Sequence, residues 1–118
     1  MLFDFFSASK VDEFARSLAH GVARRYPAAI ANDPEQIISQ KRLATILEET
    51  FSGAHRFNQE NRLGIFRKAK LGNTFKWMLR EMGYDDKFID MAARALLVSL
   101  TRQPAEGFAQ ADKPGALE

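Results

Sequence analysis

The stretch DKFIDMAARALLVSLT, residues 86–101, decides the fold class of this 118-residue chain. Wound as a helix, it has apolar side chains over more than half of its circumference and one narrow polar strip. A helix that is apolar on most sides has to be covered by protein on most sides. We therefore predict an all-α protein, a compact irregular bundle of about five helices with the helix at about 86–101 central. The strip left for solvent consists of Lys87, Asp90, Arg94 and Thr101.

Apolar spacing and end signals predict two helices in the first half of the chain. The first covers about 10–26, with Ser9 as its N-cap, and the proline that follows Tyr26 closes it. Residues 28–32 then form a connector. Asp33, with a proline next to it and a glutamine three residues later, is typical of a helix start and predicts a helix at about 33–57.

Gly72 decides how the next part of the chain is divided. We predict a helix at 63–71 that ends at this glycine and a second, short helix at 73–82 that ends at Gly83. The alternative is one continuous helix over 61–82, in which Gly72 costs about 1 kcal/mol relative to alanine.

Composition and length indicate one globular domain. The chain is 46% hydrophobic and 27% charged, which is ordinary for a soluble domain. We predict a single helical domain at residues 1–102 and a flexible tail at 103–118, because that tail contains four breakers of regular structure. These are Pro104, Gly107, Pro114 and Gly115.

The chain has no cysteine, so disulfides, thiolate chemistry and cysteine-based zinc sites are excluded, which fits a reducing compartment. Its first six residues lack the basic leader and the apolar run of a signal peptide, and no window approaches the roughly 20 apolar residues of a membrane span. We therefore expect a cytoplasmic protein. Four apolar residues near the start are expected to cover an open end of the bundle, or alternatively to insert into a membrane surface. They are Leu2, Phe3, Phe5 and Phe6.

Positive charge is concentrated in Asn61–Arg80, which holds six basic side chains and no acidic one. The remainder of the chain has 11 basic residues against 15 acidic residues. Such a concentration attracts phosphates, acidic proteins and anionic surfaces. We predict a partner-binding set made of these basic residues and the single tryptophan: Arg62, Arg67, Lys68, Lys70, Lys76, Trp77 and Arg80.

Trp77 is the distinctive member of this set. If the helix at 73–82 packs through Phe75 and Leu79, the indole points outward between Lys76 and Arg80, where it can stack on a base or contact a protein. The alternative is that Trp77 packs against the preceding helix or the tail. A helix-turn-helix motif across 65–82 is a weaker possibility, because Lys68 falls where that motif needs a small residue.

Catalysis has little support in the sequence. His20 lies on the polar side of the first helix, and His55 lies at the margin of an apolar stripe. Neither belongs to a metal-binding helical pair, and no nucleophile elbow or phosphate loop occurs. We therefore predict no enzyme, no cofactor and no metal.

We hypothesise a small non-catalytic binding or regulatory module that uses a basic face at 62–80 to contact an acidic protein partner. The alternative is a protein that binds RNA or DNA mainly through its phosphates. The apolar character of the last helix also makes a homodimer an open alternative, since a second chain would bury the same apolar surface.

Overall fold

The computed structural model describes the backbone of residues 2–101 and the side chains of residues 9–101. Six helices and no strand occur in this part of the chain, so the predicted all-α class is confirmed. The predicted tail at 103–118 lies outside the described residues. The helices are α1 (Leu2–Arg25), α2 (Ala28–Ala31), α3 (Gln40–Thr50), α4 (Ala54–Asn61), α5 (Ile65–Glu81) and α6 (Asp86–Thr101).

Helix α6 has the bounds that the sequence predicts and is central to the bundle. Asp85 begins it, because the Asp85 carboxylate accepts a hydrogen bond from the Phe88 N–H at 2.8 Å. The helix packs against α3, α4 and α5. Six of its side chains are buried in these contacts: Phe88, Ile89, Ala92, Ala93, Leu96 and Leu100.

Helix α5 is continuous through Gly72, so the predicted break at this residue is wrong. The unbroken helix aligns Leu71, Phe75 and Leu79 on one face, and all three are fully buried. Burying each large side chain contributes about 1.5–3 kcal/mol, which outweighs the roughly 1 kcal/mol that a helical glycine costs. A helix-turn-helix motif across 65–82 is excluded as well, because that motif requires a turn where α5 is regular.

The end of α5 follows the prediction. Gly83 has a φ of 100°, a left-handed conformation that glycine adopts without steric cost. The Tyr84 N–H donates to the Leu79 carbonyl and the Gly83 N–H to the Arg80 carbonyl, both at 3.1 Å. This pair of bonds is a Schellman motif. The chain then turns directly into α6.

Helix α1 begins at Leu2, and Ser9 lies inside it, so the predicted N-cap is wrong. Residues 2–8 contain no proline or glycine, and a serine inside a helix costs only a fraction of a kcal/mol. Helix α1 ends at Arg25, one residue before the predicted end at Tyr26 and two before Pro27. The two alternatives for the early apolar side chains concern residues 2–8, whose side chains lie outside the described set.

The helix predicted at about 33–57 is wrong as a single element. The Asp33 carboxylate accepts from the Glu35 N–H at 2.9 Å, which closes a local turn where the sequence indicates a helix start. The true start is Ser39, whose hydroxyl accepts from the Arg42 N–H at 3.0 Å. The predicted connector at 28–32 instead contains the short helix α2.

A second interruption separates α3 from α4 at residues 51–53. Phe51 is buried there and packs edge-on against Phe75 of α5, with ring centroids 5.5 Å apart. Helix α4 follows this interruption and packs against α6. None of the helices described here is long and apolar enough to span a bilayer.

Candidate partner-binding surface

Two exposed aromatic rings lie on the same side of α5. Phe66 is 87% exposed and Trp77 is 59% exposed. A helix turns by about 100° and rises about 1.5 Å per residue, so these two positions point in nearly the same direction about 16 Å apart. Lys70 and Asn73 are also exposed and occupy the two turns between the rings. We refer to Phe66, Lys70, Asn73, Lys76, Trp77 and Arg80 as the α5 face.

Lys76 and Arg80 border Trp77, and each contacts a carboxylate of α6. The Lys76 Nζ lies 3.4 Å from an Asp90 oxygen, and an Arg80 guanidinium nitrogen lies 3.1 Å from an Asp86 oxygen. Position 76 pairs with 90 and position 80 pairs with 86, so the two helices run antiparallel here. All four side chains keep substantial exposure to solvent. Surface pairs of this kind contribute about 0.2–1 kcal/mol each, so solvent or a partner can replace them.

Lys70 makes a contact with a third helix. Its Nζ lies 3.7 Å from the Asp12 carboxylate of α1, which also accepts a hydrogen bond from the Thr74 hydroxyl at 3.0 Å. The hydroxyl holds the carboxylate in place, and Lys70 remains about half exposed beside it. The three cations of the α5 face are therefore each next to one carboxylate of the same chain.

An open groove of about 430 Å³ runs beside the indole of Trp77. Cations, an amide, a hydroxyl and an aromatic ring all reach into this groove, which suits a polar and partly aromatic contact. Its lining consists of Asn73, Thr74, Lys76, Trp77 and Arg80.

Apolar side chains continue the surface toward the start of α5. Ile65 is 76% exposed, and Leu97 of α6 is 43% exposed. Lys76 lies beside Asp90, and the two helices are antiparallel. Seven residues back along α5 and seven residues on along α6, Ala69 is therefore opposite Leu97. The line of contact between α5 and α6 therefore has charged side chains near the end of α5 and apolar side chains near its start.

The structure brings together only part of the predicted site. Lys70, Trp77 and Arg80 are exposed on one side of α5, and the half-buried Lys76 lines the groove beside Trp77 and Arg80. The other three predicted residues do not lie on the α5 face. Arg67 and Lys68 are half-buried, and Lys68 projects from the opposite side of the helix to Trp77, because nine residues correspond to about two and a half turns. Arg62 lies in the turn before α5, exposed and with a φ of 50°.

Sequence reasoning missed Phe66, Asp86 and Asp90. The signal for Phe66 was present, because an 11-residue spacing from Trp77 places both rings on one side of a continuous helix. The predicted break at Gly72 concealed it. The pairing of Asp86 and Asp90 with α5 depends on how α5 and α6 pack, which has no comparable signal in the sequence.

The two histidines are not among the residues of the α5 face. His20 is exposed on α1. The His55 Nδ1 lies 3.2 Å from the Leu100 carbonyl oxygen, and the Asn58 amide donates to the same oxygen at 3.0 Å. The Asn58 amide therefore satisfies a carbonyl at the end of α6, where helix carbonyls lack partners, and the His55 ring lies beside the same oxygen. Within residues 9–101, no group of three or more acidic or histidine side chains is arranged to hold a metal ion.

Tyr84 is a buried residue whose acidity is changed by its surroundings. Its buried hydroxyl donates to the Tyr26 carbonyl at 2.6 Å and joins the end of α1 to the turn between α5 and α6. Burial, and to a smaller extent the nearby Tyr26, raise the pKa of Tyr84 from 10.0 to about 12.

Comparisons of the chain with protein-family models, with curated protein sequences and with solved structures found no match. The α5 face is therefore characterised by its own side chains: two exposed aromatic rings, three cations and the carboxylates next to them.

Proposed function

We propose that this protein is a small non-catalytic binding or regulatory module that contacts an acidic protein partner through the α5 face. The exposed indole of Trp77, bordered by Lys76 and Arg80, is the observation that carries the proposal. Tryptophan and arginine are enriched among the residues that dominate protein interfaces. A large exposed ring between two cations suits a partner that offers both apolar and acidic side chains.

A protein partner accounts for more of the surface than a nucleic acid does. Ile65 and Leu97 are exposed aliphatic side chains near the α5 face. They have no ring on which a base could stack, but they suit the apolar centre of a protein interface. The cations already lie beside carboxylates, which is the chemical group that an acidic protein would present.

The pairing of the cations also lowers the charge available to a polyanion. Lys70, Lys76 and Arg80 face an equal number of carboxylates, so the α5 face has much less net charge than its sequence indicates. Nucleic-acid binding draws most of its affinity from phosphates neutralised by free cations. A partner held partly by Phe66 and Trp77 depends less on net charge.

Binding to RNA or DNA is the second candidate, and the two aligned rings favour it. Phe66 and Trp77 are exposed on one side of a rigid helix, and aromatic side chains in such positions stack on the bases of single strands. Phosphate contacts give binding that weakens with salt, with a log–log slope of about 0.7 for each phosphate contact on a single strand. Binding through apolar anchors tolerates salt better.

The test uses the whole chain and the emission of Trp77, which is its single tryptophan. Two probes are titrated: an acidic peptide of glutamates and leucines, and a single-stranded oligothymidine. We expect the peptide to shift the emission to shorter wavelength as it excludes water from the indole. We expect the double change Lys76→Glu and Arg80→Glu to abolish binding while the helical circular dichroism stays unchanged.

A matched control makes the same charge change elsewhere. Lys41 and Arg42 are exposed on α3 and are not part of the α5 face, and the variant Lys41→Glu with Arg42→Glu should bind the peptide as the unchanged protein does. Undiminished binding by the Lys76/Arg80 variant would refute the proposal. Binding of the oligothymidine alone, with a steep salt dependence, would establish the second candidate in its place.

Two further expectations belong with this proposal. A cytoplasmic location remains a prediction, tested by fractionating cells that express the chain.

A homodimer also remains a prediction, for which the exposed Leu97 and Val98 of α6 offer an apolar contact. A molar mass from light scattering equal to one chain at all concentrations would exclude the dimer.

A further inference from the structure

Helix α6 presents two carboxylates to α5 in the way that a bound acidic helix would. Lys76 and Arg80 are one turn apart on α5, and Asp90 and Asp86 are one turn apart on α6. One carboxylate reaches each cation because both helices advance by about 6 Å over four residues. The spacing of the cations is therefore matched to carboxylates that are also four residues apart on a helix.

The two ion pairs between α5 and α6 are long and exposed, so that a partner's carboxylates can replace those of Asp86 and Asp90. Their distances of 3.4 and 3.1 Å exceed the 2.7–2.9 Å of strong charge-assisted hydrogen bonds. The Asp86 side chain is 82% exposed and that of Asp90 is 57% exposed, so both can turn into water without opening the core. Breaking them costs only the small energy of surface ion pairs.

The cations keep donors for another partner. A guanidinium has five N–H groups and an ammonium has three. Among the residues described, each of these two side chains contacts a single carboxylate. The exposed indole of Trp77 lies in the same groove, so that a helix bound there would meet charge and apolar surface together.

We infer that Asp86 and Asp90 act as an internal competitor for the α5 face, and that the partner binds through a helix with two carboxylates four residues apart that replace them. The inference rests on the proposed function. Removal of the two aspartates then leaves Lys76 and Arg80 unpaired and raises the affinity for an acidic helix. Because each surface pair contributes about 0.2–1 kcal/mol, the expected gain for both is between about two-fold and thirty-fold.

The experiment compares two peptides on the whole chain by Trp77 emission. Both have about 18 residues with the same composition and helix-forming background. In the first, glutamates recur four residues apart beside a stripe of leucines. In the second, the glutamates are moved so that no two share one side of the helix. We expect the first peptide to bind the unchanged protein more tightly, and we expect Asp86→Asn with Asp90→Asn to tighten it by the factor given above.

The matched control neutralises two carboxylates of α3. Glu48 and Glu49 are exposed, and the variant Glu48→Gln with Glu49→Gln changes the net charge equally. Its affinity should stay within about two-fold, because charges distant from the site are screened. Asp90→Asn alone leaves the start of α6 intact and should tighten binding in the same direction, so the inference remains testable if the double variant unfolds.

The outcomes separate this inference from the proposed function. Equal or weaker binding by the aspartate variants, with binding still lost in Lys76→Glu with Arg80→Glu, overturns the competitor and leaves the α5 face as the binding surface. No preference between the two peptides overturns the helical spacing. Peptide binding that survives Lys76→Glu with Arg80→Glu overturns both. Oligothymidine binding without peptide binding overturns both in favour of a nucleic-acid partner.

Discussion

Replacement of Tyr84 by phenylalanine should lower stability by an amount that depends on pH. The Tyr84 hydroxyl is buried and donates to the Tyr26 carbonyl at 2.6 Å. Removing this donor leaves a buried carbonyl without its partner, which costs about 1–3 kcal/mol near neutral pH. The aromatic ring remains, with its stacked contact to Phe88 at 4.9 Å, so packing changes little.

The pH dependence follows from the raised pKa. In the folded protein the pKa of Tyr84 is about 12, and in the unfolded chain it is near the ordinary tyrosine value of 10.0. Between these values the unfolded chain releases the proton first, so stability falls as the pH rises. One pKa unit corresponds to 1.36 kcal/mol, and the wild-type protein should therefore lose about 1.4 kcal/mol through this group at about pH 11. The Tyr84→Phe variant has no hydroxyl at this position and does not show this loss. The difference in the free energy of unfolding between the two proteins should therefore be about 1.4 kcal/mol smaller at about pH 11 than near neutral pH.

Urea unfolding followed by circular dichroism measures this difference at several pH values from about 8 to 11. Other titrating groups are common to both proteins, and their contributions cancel in the comparison. The chain has two tyrosines, so a spectrophotometric titration of Tyr84→Phe reports Tyr26 alone and gives the pKa of Tyr84 by subtraction. A stability difference that is constant over this range would contradict the buried hydroxyl. So would a Tyr84 that ionises near its ordinary pKa in the folded protein.

Two further predictions concern backbone conformation. Gly72→Ala should stabilise the protein by about 0.5–1 kcal/mol in urea unfolding, because the added methyl group meets no atom within 4 Å and alanine favours the helix. Gly83→Ala is the control and should destabilise it, since Gly83 has a φ of 100°; a loss of stability in Gly72→Ala would show that α5 has no room there. Arg62→Gly should stabilise by about 0.5–1 kcal/mol, because its φ of 50° suits glycine better than arginine. Arg62→Ala keeps the unfavourable conformation and should not stabilise; equal stability of the two Arg62 variants would refute this explanation.

Carboxylates from other helices lower the net charge of the surface that the basic segment Asn61–Arg80 forms. The sequence of Asn61–Arg80 has six cations and no acid, which suggests a strongly positive surface. In the structure, acids from α1 and α6 lie against Lys70, Lys76 and Arg80. The α5 face therefore combines exposed rings with cations whose charge is partly balanced. Under the proposed function, a partner would exchange its own carboxylates for these, which favours a partner with defined spacing of its acidic side chains over an unspecific polyanion.

Local signals in the sequence were reliable where one residue controls the backbone. The proline at position 27 follows the end of α1, Gly83 ends α5 in a left-handed conformation, and α6 has the predicted bounds. Each of these effects arises from the residue and its immediate neighbours. The same holds for the narrow polar strip of α6, whose members are exposed as their spacing indicates.

Local signals led to wrong predictions where a residue is compatible with more than one backbone conformation. Asp33 has the features of an N-cap, but its carboxylate closes a turn with the Glu35 N–H, and Ser39 begins the helix instead. Gly72 has the features of a terminator, but α5 continues through it. Aspartate and glycine each stabilise several local conformations of similar energy, and burial of neighbouring apolar side chains selects among them.

The amino-acid sequence was sufficient to predict the helical class, the central apolar helix and a tryptophan between two cations on one segment. Periodicity and composition carry this information, because they act over a few residues. Two features became clear only from the folded chain. Helix α5 is unbroken, so that Phe66 and Trp77 lie on one side of it. Two aspartates of α6, at positions 86 and 90, lie beside two cations of α5. These features depend on how much apolar surface each arrangement buries and on the register between α5 and α6. Both are properties of residues that are distant in the chain and become neighbours only when it folds.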